Sequence, residues 1–287
     1  LGHQDPDLPE LAASGALEAP TISQVGKMGF FQYVASRRWR PQMSDVGTAF
    51  LNSPELSRSA GKLYATRSRD GTGWPGDEQE SDLVEVIKSV YGLNSAPRAW
   101  HETLKGTLTE LGWSASPLDP CLYVLRQGRR TVGAIIVYVD DLAIAGEGPL
   151  FESSISKLRQ RYDFRKWRVG SGTFVGATVE QHADFSITLH QRGFTADLRP
   201  VKVAPRARDD ALATEEQIHQ GRKLMGGLQW LSTQTRPDLA AQVSLAQQAF
   251  PSPTVGDLRR MNQALRRARQ FDGLALKILP IDADSVG

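Results

Sequence analysis

The strongest pattern in the chain is a β-rich apolar run from Thr131 to Val139, interrupted by Asp140-Asp141 and resumed from Leu142 to Ala145. A strand-like stretch, Cys121 to Arg126, precedes it, with Gln127-Gly128 as the turn between them. Such runs joined by short turns predict consecutive antiparallel strands. Upstream, Thr21-Ile22-Ser23-Gln24 has the spacing of a capping box and opens a helix to about Trp39. Asp45 to Leu51 reads as a strand leading into a turn, and Leu83 to Val90 as another strand. Pro97 suits the first turn of a helix that reaches Leu111 and stops at Gly112. Beyond the central strands the pattern predicts a helix from about Leu150 to Tyr162, then short strands near 173–180 and 186–190. The last third reads as helix. Thr214-Glu215-Glu216-Gln217 is a second capping box, Pro237 opens a helix to Phe250, and Thr254-Val255-Gly256-Asp257 caps one reaching about Phe271. Residues 1–20 and 66–82 read as loops. Mixed elements followed by helices predict an α+β domain with a helical appendage.

Composition adds bounds. At 287 residues, 40% apolar and 23% charged, the chain has material for one large domain or two small ones. Its longest apolar run is far short of the ~20 residues that span a bilayer. No charged segment followed by an apolar one opens the chain, so a secretory signal is not expected. The single cysteine, Cys121, excludes a disulfide framework and a Cys-based zinc site. An intracellular, cytoplasmic location is the expectation. The chain starts at Leu1, and we read it as a piece of something longer.

The net charge of +2, from 34 basic and 32 acidic residues, hides an uneven distribution. Arg159, Arg161, Arg165, Lys166 and Arg168 crowd one stretch with only Asp163 against them. Arg199, Lys202, Arg206 and Arg208 form a second cluster, and Arg259, Arg260, Arg266, Arg267 and Arg269 a third. A polyanionic partner accounts for such clusters. So do solvated helix faces.

Candidate chemistry centres on the carboxylates. Asp140 and Asp141 lie amid apolar strands, where burial and mutual repulsion are costly unless a cation offsets them. A plain acidic turn in water is the alternative. Adjacent strand residues point to opposite faces, so both reach one metal only near a turn. Asp45 also sits just ahead of apolar residues, Ala49-Phe50-Leu51. Three strand-end carboxylates can hold two divalent ions about 3.5–4 Å apart, the arrangement that supports in-line nucleotidyl transfer. Hard oxygen ligands favour Mg²⁺ or Mn²⁺. The five histidines are scattered, and neither G-x-S-x-G nor a P-loop occurs.

Three motifs occur in order: Asp45-Val46-Gly47-Thr48-Ala49-Phe50-Leu51-Asn52, then Tyr91-Gly92-Leu93-Asn94-Ser95-Ala96-Pro97-Arg98-Ala99-Trp100, then Tyr138-Val139-Asp140-Asp141. Together they resemble the reverse transcriptase of copia-type LTR retrotransposons. The similarity continues through 158–164, Phe174-Val175-Gly176, 224–228 and Thr235-Arg236-Pro237-Asp238, and covers about residues 19–271.

The resemblance implies a right-hand polymerase: an α+β palm with antiparallel sheet and flanking helices, partial fingers and a helical thumb or connection region. Residues 1–40 would be a partial fingers segment, 41–180 the palm with a fingers insertion, and 181–287 the thumb or connection. The implied activity is RNA-directed DNA polymerisation with two Mg²⁺ or Mn²⁺ ions. Asp45 and Asp140 would be the main metal ligands, supported by Asp141. Phe50 would lie under the sugar of the incoming nucleotide, with Tyr91 and Gly92 beside nucleotide and template. Without the resemblance Phe50 reads as a core aromatic. Phe174 and Gly176 would belong to the hairpin that grips the primer terminus. Arg259, Arg260, Arg266 and Arg267 fall on one helix face, opposite Leu258, Met261 and Leu265, and would grip a duplex backbone. Implied partners are template with primer, dNTPs, and RNase H and integrase segments of the same polyprotein, with no membrane. Val90 and Asn94 depart from the family pattern, and Asn94 removes one positive charge. By the same resemblance, the basic segment that begins the fingers in the family would lie before Leu1, and any RNase H after Gly287. Two rivals remain at this stage: a non-catalytic remnant that keeps nucleic-acid binding, and a palm-like nucleotidyl cyclase.

Overall fold

The computed structural model describes residues 5–59, 61–66, 83–250 and 252–282, so most of the loop expected at 66–82 lies outside the described residues. The chain forms two compact units, one of Leu1–Lys27 with Ser44–Trp167, the other of Met28–Met43 with Arg168–Gly287. The expected boundaries at 40 and 180 differ from this division.

Along the first part of the chain run α1 (Leu8–Ala13), α2 (Gln24–Ser36), β1 (Gln42–Val46), a 3-10 turn (Ala49–Asn52), β2 (Tyr64–Thr66), β3 (Leu83–Glu85), α3 (Ala96–Glu110), β4 (Trp113–Ala115), β5 (Leu122–Gln127), β6 (Arg130–Tyr138), β7 (Asp141–Gly146), α4 (Pro149–Arg161) and β8 (Phe164–Val169). A six-stranded sheet runs β4-β5-β6-β7-β1-β8. Its antiparallel centre, β5 to β7, is the pattern the apolar runs predict.

One cross-strand pair decides how the sheet is covered. Gly133 faces Gly146 across β6 and β7. A Cβ on Gly133 would stand 2.8 Å from both Phe151 and Trp113, and one on Gly146 would overlap the Phe151 ring and stand 2.5 Å from the Val132 carbonyl. The two glycines therefore leave a bay for Phe151 of α4. Trp113 meets Phe151 edge-on and donates its indole N–H to Ser154 Oγ at 2.7 Å. On α3, Trp100, Leu104 and Leu108 are buried. Tyr162 packs on Trp100 and shares a 2.7 Å hydrogen bond with Thr107; burial raises its phenol pKa. Burial likewise pushes the Cys121 thiol up to about 12, so the lone cysteine is a core residue.

Several local expectations shift. Residues 8–13 form a short helix rather than loop. Strand β1 ends at Val46, before a 3-10 turn that replaces the expected strand to Leu51, and β3 ends at Glu85. Helix α2 starts at Gln24 with Ser23 Oγ accepting from the Gly26 amide at 2.9 Å. The Thr21 capping box does not form. Asp119, 96 residues away, takes the Ser23 amide at 2.9 Å instead, and its other oxygen takes the Cys121 amide. Gly26 permits that approach, because a Cβ there would stand 2.6 Å from Asp119 Oδ2.

The second part of the chain supplies β9 (Ser171–Phe174), β10 (Ala177–Gln181), β11 (Ile187–His190), α5 (Arg192–Asp197), α6 (Glu215–Gln234), a 3-10 turn (Pro237–Leu239), α7 (Ala240–Gln248), α8 (Val255–Gln270) and β12 (Leu276–Ile278). Strands β12-β11-β10-β9 form a separate antiparallel sheet. Leu224, Leu228, Leu231, Leu239, Met261 and Leu265 form the core of the helices. Both predicted capping boxes, at Thr214 and Thr254, are present with reciprocal bonds. Arg236 is buried, chelates Asp238 at 2.7 and 2.9 Å and donates to the Ala268 carbonyl of α8. That guanidinium holds the Asp238 carboxyl below the usual carboxylate range. Among the described residues no helix is long and apolar enough to cross a membrane.

Gly146→Ala should destabilise the protein by about 1–3 kcal/mol, the usual range for overpacking a filled core. Denaturant melts of the two proteins measure the difference. A neutral result would mean that Phe151 can leave its bay freely.

Candidate active site

The site is built on the β6–β7 hairpin. Tyr138 pairs with Asp141, so Val139 and Asp140 form a two-residue connection. Val139 has φ +56°, the sign that primed hairpin turns require at their first central position. A β-branched residue is an outlier there, and such strain persists only where surrounding contacts enforce it. The enforcing contacts are visible. The Val139 carbonyl accepts the Trp100 indole N–H at 2.8 Å, and Trp100 is 1% exposed. The Asp140 carbonyl accepts the Val46 amide at 2.9 Å. The end of β1 that carries Asp45 is thereby fastened to the residue that carries the second carboxylate.

Asp45, Asp140 and Asp141 are all half-buried. Among the described residues, neither the Asp45 nor the Asp140 side chain has a hydrogen-bond or ion-pair partner. No three acidic, histidine or cysteine side chains of the described residues are gathered into a set that could hold a metal ion. The hairpin explains this: Asp140 lies in the turn and Asp141 starts a strand, so consecutive side chains diverge. Asp45 and Asp140 thus stand at adjoining strand ends without a closed triad. Half-buried hard-oxygen donors with no cationic partner suit a divalent cation of the Mg²⁺ or Mn²⁺ type.

The turn after β1 carries the next candidates. Thr48 has φ +49°, and its hydroxyl donates to the Gly47 carbonyl at 2.8 Å. Asn52 Nδ2 donates to the Thr48 carbonyl at 3.2 Å. This lacing sets the 3-10 turn that holds Phe50, which is 8% exposed. Phe50 meets the Tyr91 ring at 4.6 Å between centroids, and Tyr91 is 66% exposed. Gly92, next along, has φ +95° with open space around its Cβ position, so conformation rather than crowding requires glycine there.

The remaining candidates belong to the second unit. Val175 and Gly176 both have positive φ, as a type I′ turn demands, and join β9 to β10. The Phe174 ring is buried against Phe31, so its side chain supports the hairpin from the core and is not available for direct nucleic-acid contact. On α8 the four arginines share a face, but not one state. Arg259 pairs with Asp209 and donates to the Ala207 carbonyl at 2.9 Å; Arg260 pairs with Asp257. Arg267 lies over the Phe271 ring. Arg266 is exposed, with no ion-pair partner among the described residues. Trp100 is the residue that sequence reasoning passed over. Its signal was its place at the end of the Tyr-Gly-Leu motif.

Trp100→Phe keeps the ring but leaves the Val139 carbonyl without its donor. A buried group so orphaned costs about 1–3 kcal/mol. Amide exchange at Val46 should also speed up relative to other β1 amides, because the turn it bonds to is loosened. Unaltered exchange at Val46 would show that the indole does not hold the turn.

A model of the family described as reverse transcriptase (RNA-dependent DNA polymerase) matches residues 30–200, more than half of the chain. The retrovirus-related Pol polyproteins from transposons RE2 and RE1 of Arabidopsis thaliana are each 28% identical to it over 266 residues. Those alignments cover 86% of this chain but 18% and 17% of the polyproteins, so the chain spans less than a fifth of their length. The putative transposon Ty5-1 protein of Saccharomyces cerevisiae is 24% identical over 250 residues, covering 81% of this chain and 77% of that protein. The chain belongs to the reverse transcriptase (RNA-dependent DNA polymerase) family, in the copia-type group that its three ordered motifs resemble.

Proposed function

We propose that this chain is the RNA-directed DNA polymerase domain of a copia-type retrotransposon polyprotein. The observation that carries the reading is the pair of unpartnered, half-buried carboxylates, Asp45 and Asp140, on strand ends joined by the Val46–Asp140 hydrogen bond. In this reading the six-stranded sheet with α3 and α4 is the palm, the region around β2 and β3 a fingers insertion, and α6 to α8 the thumb or connection.

Asp45 and Asp140, with Asp141 beside them, would hold Mg²⁺ or Mn²⁺, two ions in all. When bound, these would supply charge neutralisation at the triphosphate and acidify the primer 3′-hydroxyl. The chain's own residues do the positioning. Trp100 and Val46 fix the backbone of the hairpin turn that carries Asp140. Phe50, backed by Tyr91, offers a flat, stiff surface beneath the deoxyribose, with only two rotatable side-chain bonds to relax. The hairpin tip at Gly176 and the exposed Arg266 and Arg267 supply contacts to primer and template. The dNTPs and the RNase H and integrase segments of a polyprotein are the remaining proposed partners.

A remnant that binds nucleic acid without extending a primer is the second reading, favoured by the lack of a closed three-carboxylate set among the described residues. Primer extension on a primed RNA template separates the two. Asp140→Asn should abolish Mg²⁺-dependent extension while leaving template–primer affinity nearly unchanged; extension near the wild-type level would sink the polymerase assignment.

Phe50→Ala should raise ribonucleotide incorporation relative to deoxyribonucleotide by one to two orders of magnitude, roughly 1.4–2.7 kcal/mol of differential transition-state binding. The comparison needs kcat/KM for a matched rNTP and dNTP pair and a melting temperature. An unchanged ratio in a folded variant would make Phe50 a core residue only.

A further inference from the structure

Among the basic residues that the polymerase reading leaves unused are those at the sheet edge, in β8. This strand ends the sheet order and pairs with β1 alone. A regular strand would send Arg165 and Lys166 to opposite faces. Here the exposure pattern has a period of three, and both are exposed while Phe164 and Trp167 are half-buried. The cause is Lys166, whose φ of +41° kinks the strand as a bulge does and turns two consecutive cations outward. Arg165 leans towards the end of β1. Its Nε stands 3.4 Å from where a Cβ on Gly47 would be, and Gly47 is two residues past Asp45. The Gly47 amide donates to the Asp163 carbonyl at 2.7 Å, and Ser44 Oγ donates to the Arg165 carbonyl. The backbone that carries these cations is thus tied to the strand that carries Asp45.

The charges are left open. Arg259 and Arg260 of α8 have carboxylate partners, whereas among the described residues neither Arg165 nor Lys166 has one. Asp163 is the one nearby carboxylate in the segment. Its Oδ2 lies 3.2 Å from the same Gly47 Cβ position but makes no ion pair with Arg165 among the described residues. Behind the pair, the Arg159 guanidinium covers the Trp167 ring at 4.7 Å from its centroid, and Phe164 meets that ring edge-on at 5.1 Å. The ring thus already packs against both groups, and Arg165 and Lys166 present positive charge to solvent.

We propose that Arg165 and Lys166, backed by Arg159, bind the phosphate backbone of the template–primer duplex beside the Asp45 strand, without sequence preference. This rests on the polymerase reading for the identity of the duplex. An exposed charge pair without a carboxylate partner suits a polyanion, and contacts to phosphates position a duplex without reading it. The competing explanation is edge protection, since exposed cations on an edge strand also discourage strand addition by another chain.

Anisotropy of a labelled template–primer duplex, titrated with the full chain over a range of salt, tests the proposal. Arg165→Ala with Lys166→Ala should weaken binding at least threefold at low salt and shallow the log–log salt slope by about 1.8, near 0.9 for each phosphate contact on B-form duplex. The charge-keeping pair Arg165→Lys with Lys166→Arg should retain the wild-type slope, and Arg208→Ala, at an exposed arginine already paired with Asp210, should too. An unchanged slope and affinity in a folded double-alanine variant would overturn the proposal in favour of edge protection. A rise confined to the KM for dNTP, with duplex affinity intact, would overturn it in favour of a triphosphate contact. Binding is read without catalysis. If the wild-type chain binds duplex but extends no primer, the polymerase reading fails while a salt-slope change in the double variant still supports this surface.

Discussion

The structure depends on holding an acidic turn at the end of a buried strand without neutralising it. From Val132 to Val137 β6 is buried, and within three residues the chain reaches Asp140. A salt bridge would be the usual way to fix a carboxylate there, but a bridge would also consume the charge. The protein fixes the backbone instead. Trp100 binds the carbonyl of Val139 and Val46 binds that of Asp140. Each such bond contributes only about 1 kcal/mol net, yet leaving a buried partner unpaired costs more than that. The backbone geometry is therefore enforced while the Asp140 side chain has no hydrogen-bond or ion-pair partner among the described residues.

That solution makes demands on the rest of the first unit. Trp100 reaches Val139 from α3, which is packed by Leu104, Leu108 and the Tyr162 ring. The other cover helix, α4, comes close to β6 and β7 because Gly133 and Gly146 give up their side chains to Phe151. The glycine pair and the strained Val139 lie towards opposite ends of the same hairpin. One end is made small so that a helix can approach, and the other is bent so that charge can leave the core.

What could be read in the sequence follows the range of the forces involved. Capping boxes at Thr214 and Thr254 were legible because donor and acceptor lie three residues apart. The box at Thr21 has the same spacing, but Asp119, 96 residues away in sequence, takes the Ser23 amide and the helix starts at Gln24. The central hairpin was legible because apolar runs flank a charged pair. Strand β8 was not, because a left-handed Lys166 breaks the two-residue period on which strand recognition relies. In the candidate site, the aspartates announced themselves through motifs. The role of Trp100 did not, since an indole inside a helical motif looks like any core aromatic until its N–H is seen on Val139.

Charge shows the same division between local pattern and distant partner. Three basic clusters are equivalent in the sequence, and a net charge of +2 distinguishes none of them. Folding makes them unequal. Asp209 lies 50 residues before Arg259 and reaches it only in the folded chain, and Asp257 answers Arg260 from one helical turn away. These arginines are largely committed to holding α8 and the loop at 204–209, where exposed ion pairs contribute little stability but do fix side-chain direction. On β8 the opposite holds, since the backbone is kinked so that two cations project together and no carboxylate meets them among the described residues. A left-handed lysine carries a conformational cost, and the bonds from Gly47 and Ser44 to the backbone of the same segment hold it in that shape while its charge faces solvent.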